Sequence, residues 1–284
     1  MREVLGLKKR RNSLMTYLIV TIVTLGLVWI GTKDRASASL QDPSVLPISE
    51  PVVMVPGTNG NVDEFDELIA ALKKKETGVD TVKLTVEDDG TVQAEGQFSV
   101  QTTHPILVIA FEDGSDESLP KQATWLQAAL NYAQQFYSFS TYDYLGYSNG
   151  GLIITGYLEN DKHQSDPTLN HLVTLGTPYN GTSWEDNDNS SSFTQPKKNS
   201  ALLADYLEKK NKLPKNITVY NLSGNVDNQN SDGTVPLTSV LAGRLLYGDS
   251  KSYQEITVAE NADHGSLIEN EKTVQLLQKY LFTK

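Results

Sequence analysis

The stretch Gly146-Tyr147-Ser148-Asn149-Gly150-Gly151 sets a serine among glycines, with the apolar run TYDYL before it and LIITGYLEN after it. An apolar run, a tight turn and a second apolar run predict a strand, a sharp bend and a helix. Residues 146–150 fit the pattern G-x-S-x-G, in which a strained turn lifts a serine hydroxyl above a sheet edge. Side chains at the flanking positions would collide with the strand or the helix, so glycine is needed there. A plain glycine-rich turn could share the pattern. The strand before it and the helix after it favour Ser148 as a nucleophile.

A serine nucleophile needs a base, and the base needs an acid to orient it. In sheets that carry such a turn the chain order is Ser, then Asp or Glu, then His. Of the four histidines, His104 precedes the motif, while His163 and His171 flank the amino end of a strand. His264, in NADHGSL, follows the last predicted strand and precedes the closing helix, which makes it the candidate base. The acid is sought in NVDNQNSDGTVP, after the strand 217–224. Asp232 sits there in SDGTVP, where a glycine turn and a proline would hold its carboxylate; Asp227 lies in a looser, Asn-rich stretch and is the second choice. Asp263 adjoins His264 and would have to point away from its neighbour's ring. Read from Asp227 the segment also resembles a calcium loop, but Asp232 stands where Gly is needed and Thr238 where Glu is needed, so no metal is assigned. The developing oxyanion needs donors. The backbone N–H groups of Asn149 and of Thr58, in VPGTNG, are the candidates.

Outward from the motif, PVVMVPG and HPILVIAFED read as strands buried on both faces, and residues 63–75, 121–137 and 268–282 as helices. Residues 81–100 alternate, break at Asp89-Gly90 and alternate again, a hairpin signal. Strands alternating with helices predict an α/β domain over residues 51–284: a doubly wound, mostly parallel sheet with an added β-hairpin. Residues 180–200, rich in Ser, Asn, Asp and Thr, read as a loop long enough to be a lid. Tyr179 and Trp184 near its start, with Tyr147 beside the serine, are the candidate substrate-binding residues.

The N-terminus carries Lys8, Lys9, Arg10 and Arg11, then an uncharged apolar stretch of about 18 residues and Ala36-Ser37-Ala38. Residues 1–38 read as a signal peptide or a membrane anchor, long enough to span a bilayer, and residues 39–50 as a linker. That segment holds seven of the 24 Lys and Arg and two of the 35 Asp and Glu, so the rest of the chain carries 17 basic and 33 acidic residues, a net charge of −16. Such a body repels nucleic acid and anionic lipid. No phosphate-binding loop or zinc-ligand spacing is present, and the absence of cysteine excludes disulfides and a thiol nucleophile.

Taken together, VVMVPGTNG, VEDDGTV, FED before KQATWLQAAL, LGYSNGG, TLGTPYNG, SDGTVPLTS, KSYQEITV and ADHGSLIEN resemble the α/β-hydrolase superfamily. Within it they resemble the uncharacterised cell-surface hydrolases of Gram-positive bacteria, over about residues 50–284. TLGTPYNG is also similar to the LGTPHxG segment of many lipases. Relatives commonly have His-Gly after the first strand and His before the serine; this chain has Pro56-Gly57 and Tyr147. The resemblance implies a serine hydrolase with Ser148 as nucleophile, Asp232 as acid and His264 as base, without a cofactor. The expected substrate is a small ester or a lipid-like molecule, met outside the cell, with the membrane contacted only through the N-terminal segment. A surface-displayed binding module that keeps the fold without catalysis is the alternative. Cleavage of amides or thioesters differs only in the leaving group.

Overall fold

The computed structural model describes residues 45–282; residues 1–38, read above as a signal peptide or membrane anchor, lie outside them. Among the described residues no helix is long and apolar enough to cross a membrane.

Ten strands follow in chain order: β1 (Leu46–Pro47), β2 (Val52–Val55), β3 (Val79–Val86), β4 (Val92–Glu95), β5 (His104–Phe111), β6 (Tyr137–Ser138), β7 (Thr141–Tyr147), β8 (Thr168–Leu175), β9 (Thr218–Gly224) and β10 (Ser252–Val258). Eight form one sheet in the order β10-β9-β8-β7-β2-β5-β3-β4, while β1 and β6 form a separate two-stranded pair. Every pairing in the large sheet is parallel except β3 with β4, the hairpin that Asp89-Gly90 predicts. β2 lies between β5 and β7. The chain leaves β2 towards one edge, then crosses to β7 and runs to the other edge. The loops after β2 and β7 are therefore neighbours at the switch point, where open parallel sheets form their crevice.

The helices are α1 (Asp66–Lys73), α2 (Leu119–Gln134), α3 (Asn149–Gly156), α4 (Ala201–Lys209), α5 (Leu237–Leu241), α6 (Arg244–Tyr247) and α7 (Glu271–Leu277). Side chains alternate across a strand, so β2 feeds two cores. Val53 and Val55 join Leu126, Ala129 and Ala133 of α2 and Ile153 and Ile154 of α3. Val52 and Met54 join Leu68, Ile69 and Leu72 of α1 and Val274 and Leu277 of α7. Helices cover both faces, as the buried apolar strands require.

Several boundaries differ from the sequence reading; the helix read at 121–137, for one, is Leu119–Gln134, and Tyr137 begins β6. The N–H groups of Leu46 and Ile48 donate to the carbonyls of Phe136 and Ser138, so the end of the expected linker is pinned to the domain. The helix after the serine is α3 followed by a π-turn at Tyr157–Asp161, and α7 is likewise followed by one at Gln278–Phe282. The first of these turns carries the carboxylate of Glu159 inward: the residue is 2% exposed, and neither oxygen has a hydrogen-bond partner among the described residues.

Burial pushes the Glu159 pKa up to about 8. A raised carboxyl pKa means that the folded state keeps a proton that the unfolded chain has lost. Stability is then full below the ordinary carboxylate range and declines as pH rises towards 8. Glu159→Gln removes that proton. The variant is expected to be more stable than wild type at pH 9 by on the order of 2 kcal/mol, and to differ little at pH 4. Urea melts at the two pH values measure this; an equal difference at both contradicts it.

Candidate active site

The loops that carry the candidate residues all leave the carboxyl ends of strands: Thr58 after β2, Ser148 after β7, Asp232 after β9 and His264 after β10. Ser148 has φ of 51° and ψ of −122°, a left-handed backbone that a non-glycine residue adopts only when its surroundings enforce it. Its N–H donates to the Leu175 carbonyl at 2.8 Å, which ties the turn to β8. A Cβ on Gly146 would lie 2.5 Å from the Gly151 nitrogen, and one on Gly150 2.2 Å from the Val55 carbonyl oxygen. The turn thus needs both glycines, because backbone fills the space on either side.

The structure brings Ser148, His264 and Asp232 together. His264 Nε2 lies 3.0 Å from Ser148 Oγ, and His264 Nδ1 lies 2.6 Å from Asp232 Oδ2. A carboxylate has no proton to give, so Nδ1 donates to Asp232 and Nε2 is left to accept from the serine hydroxyl. Asp232 is buried, and its other oxygen accepts from the N–H groups of Val235 at 2.6 Å and Thr234 at 3.0 Å. The glycine turn read in SDGTVP therefore supplies the donors that fix the carboxylate. The His264 N–H donates to the Asp232 carbonyl at 2.8 Å, a second tie between the two loops. Asp227 is exposed and plays no part. Asp263 turns away, holding the hydroxyl and N–H of Ser266.

The remaining histidines have other partners. His104 Nδ1 meets the Thr77 carbonyl, His163 Nδ1 meets Gln127, and His171 Nδ1 meets Asp143 Oδ1 at 2.8 Å.

Asn149 opens α3, so its N–H has no intrahelical acceptor and points out of the positive end of the helix. Among the described residues neither this N–H nor that of Thr58 has a hydrogen-bond acceptor. The side chains of the two residues meet: Asn149 Nδ2 donates to Thr58 Oγ1 at 2.7 Å.

A cavity of about 560 Å³ opens over Ser148. Leu119, Leu152, Pro178, Leu202 and Val235 give it apolar walls, Glu64 and Asp116 add carboxylates, and neither Lys nor Arg lines it. Tyr147 lines it too and also supports the histidine: its ring stacks on His264 with centroids 5.3 Å apart, and its hydroxyl donates to the His264 carbonyl at 2.6 Å.

Two expected substrate contacts are corrected. Tyr179 is 0% exposed and packs its ring against Tyr247, in the core rather than in the cavity. Trp184 is 47% exposed and lies outside the cavity wall. From this segment it is Pro178, Gly181 and Thr182 that line the cavity. The lid expected at 180–200 is bolted down. Asn180 donates through Nδ2 to the carbonyls of Asp186 and Lys198, accepts from the Ser200 N–H, and donates through its own N–H to Ser239 Oγ. Phe193 is buried beneath the Arg244 guanidinium. Polar composition suggested a free loop, but here the polar side chains satisfy the loop's own backbone and fasten it.

Residues 40–284 match the model of the family described as alpha/beta hydrolase of unknown function (DUF915). The chain belongs to this family. Among solved structures, the lin2722 product of Listeria innocua is similar to it, with a TM-score of 0.78 and 26% identity over 83% of this chain and 95% of that one. A protein described as a cell surface hydrolase from Lactobacillus plantarum has a TM-score of 0.69 and 33% identity over 81% of this chain and 90% of that one. None of the curated proteins matches. The α/β-hydrolase fold is the architecture described above, with the added hairpin at one edge of the sheet.

Proposed function

We propose that this α/β hydrolase is a serine hydrolase of carboxylic esters that works outside the cell. One observation carries the reading: Ser148 Oγ, His264 and Asp232 form a continuous hydrogen-bonded relay beneath an apolar-walled cavity. The extracellular setting is supported by the cell surface relative from Lactobacillus plantarum and by the signal-like N-terminus.

The reaction follows from the relay. Ser148 Oγ attacks the acyl carbon as its proton passes to His264 Nε2. Asp232 holds the ring with Nε2 towards the serine and stabilises the imidazolium that forms. The N–H groups of Asn149 and Thr58 receive the negative carbonyl oxygen, aided by the α3 dipole. When the tetrahedral adduct collapses, the alcohol leaves with the proton from His264. Water then attacks the acyl-enzyme by the same route, returning Ser148 and releasing the acid. The stack of Tyr147 on His264 limits tilting of the imidazole through both proton transfers.

The apolar walls and the two carboxylates favour uncharged acyl groups over anionic ones. The cavity's volume falls in the range of small-molecule sites. Leu202, at the start of α4, lines it. Leu202→Trp is expected to cut kcat/KM for p-nitrophenyl octanoate about 10-fold relative to p-nitrophenyl acetate. An acyl-length series on wild type and variant checks this and tests the proposal as a whole. Absence of ester cleavage at every length by the folded wild type overturns it.

A further inference from the structure

The turn after β5 reads EDGSDES and enters the structure as more than a connection. Asp116 opens a single 3-10 turn, Asp116–Ser118, just ahead of α2. Its Oδ1 accepts from Thr58 Oγ1 at 2.8 Å and from Asn149 Nδ2 at 2.7 Å. Asn149 Nδ2 also donates to Thr58 Oγ1. The donors and acceptors of this triangle admit one arrangement. A carboxylate only accepts, so both neighbours must give it a proton. The threonine hydroxyl spends its proton on Asp116 and takes one from the amide. The amide sends both N–H bonds inward, which also fixes which way the Asn149 side chain points.

Thr58 and Asn149 are the residues whose backbone N–H groups are assigned to the oxyanion. They come from segments 91 positions apart in the chain, the ends of the paired strands β2 and β7, and the Asp116 carboxylate joins their side chains. The turn that carries Asp116 is itself held firmly. Ser118 Oγ donates to the carbonyls of Asp113 and Ser115, Gln122 Nε2 donates to the Ser115 carbonyl at 2.7 Å, and Ser115 N–H donates to Asp113 Oδ1. It is also tied to the β2 loop through the backbone, where Asn59 N–H donates to the Gly114 carbonyl at 2.8 Å.

We propose that Asp116 is a positioning residue that clamps the two halves of the oxyanion site at a fixed separation, acting through the side chains of Thr58 and Asn149. This rests on the serine hydrolase reading. A fixed separation matters most when the carbonyl oxygen becomes an oxyanion, because donors placed in advance need no rearrangement at that moment. Loss of the clamp therefore lowers kcat with little effect on KM. Asparagine at position 116 keeps the function: its Oδ1 accepts both bonds while its NH2 takes the outward place of Oδ2.

The test uses the purified full chain and p-nitrophenyl butyrate. Asp116→Ala is expected to lower kcat about 10- to 100-fold with KM changed less than about threefold. Asp116→Asn is expected to stay within about fivefold of wild type, and Thr58→Val to behave like Asp116→Ala while Thr58→Ser does not. The double variant Thr58→Val, Asp116→Ala is expected to be no worse than about twofold below the weaker single, because both break one unit. Circular dichroism establishes that each variant is folded. If Asp116→Ala fails to fold, the comparison of Thr58→Val with Thr58→Ser decides. Wild-type kcat in folded Asp116→Ala, an equal loss in Asp116→Asn, or a loss confined to KM overturns the proposal. If Ser148→Ala abolishes hydrolysis while folded Asp116→Ala is unaffected, the clamp alone is wrong. If wild type is itself inert, the serine hydrolase reading falls and the clamp with it.

Discussion

Ser148→Ala is expected to lower kcat on a carboxylic ester by about 10⁴- to 10⁶-fold, with KM and thermal stability close to wild type. The size of the effect follows from what the oxygen does. In the proposed reaction it forms the acyl bond, and among the described residues it is the hydroxyl that His264 Nε2 meets, 3.0 Å away. Stability should hold, since Ser148 Oγ has no hydrogen-bond partner besides the histidine among the described residues. The strained backbone at φ of 51° remains, because it is imposed by the Leu175 carbonyl and the packed glycines rather than by the hydroxyl. Residual turnover, from the oxyanion donors and from water in the cavity, sets the floor. Single-turnover hydrolysis of p-nitrophenyl butyrate beside a thermal melt checks both halves. A drop of less than about 100-fold would show that another group performs the attack.

Gly150→Ala is expected to damage both fold and activity. The added methyl would lie 2.2 Å from the Val55 carbonyl oxygen and 3.0 Å from that of Pro56, and both are backbone atoms that cannot swing aside. The β2 loop and the first turn of α3 must then separate. That breaks the packing of Val55 and spreads the N–H groups of Thr58 and Asn149. A loss of about 3 kcal/mol or more in unfolding free energy is expected, and any folded fraction should retain at most about 1% of wild-type kcat. Gly90→Ala is the control. Gly90 has φ of +85° with no atom near its missing Cβ. Its cost is limited to about 1 kcal/mol of left-handed backbone, with activity unchanged. Urea melts and kcat on both variants measure the difference. Equal destabilisation of the two would contradict the close-approach argument.

Much of this was readable in the sequence because certain residues report local geometry directly. The strands within PVVMVPG and HPILVIAFED are buried along almost their whole length, and a short continuous apolar run rich in β-branched residues has few other uses. The glycines around Ser148 mark a turn in which backbone touches backbone. His264 stood out by its place after the last strand. The glycine turn after Asp232 marks it as the residue whose carboxylate can be held, and the N–H groups of Thr234 and Val235 do hold it. The misses share a different cause. Whether Tyr179 faces the cavity or the core is decided by partners distant in sequence, among them Tyr247 and Gly243, whose missing Cβ leaves room for the ring. Asn180 looked like one more loop asparagine, yet it ties down the segment that composition marked as free. Asp116 meets the side chains of Thr58 and Asn149, so its signal exists once the three loops are brought together. The π-turn that buries Glu159 is not legible in hydrophobic spacing, because its sequence YLEND ends in three polar residues that read as the end of a helix.

An activated serine at position 148 is what the proposed reaction requires first. Its most direct measurement is reaction of the folded full chain with a fluorophosphonate probe, followed by mass spectrometry of the labelled peptide, with His264→Ala alongside. One adduct is expected, on Ser148, formed rapidly in wild type and at least about 100-fold more slowly in His264→Ala. An adduct on a different serine, equal labelling of the His264 variant, or a folded wild-type chain that takes no label would contradict it.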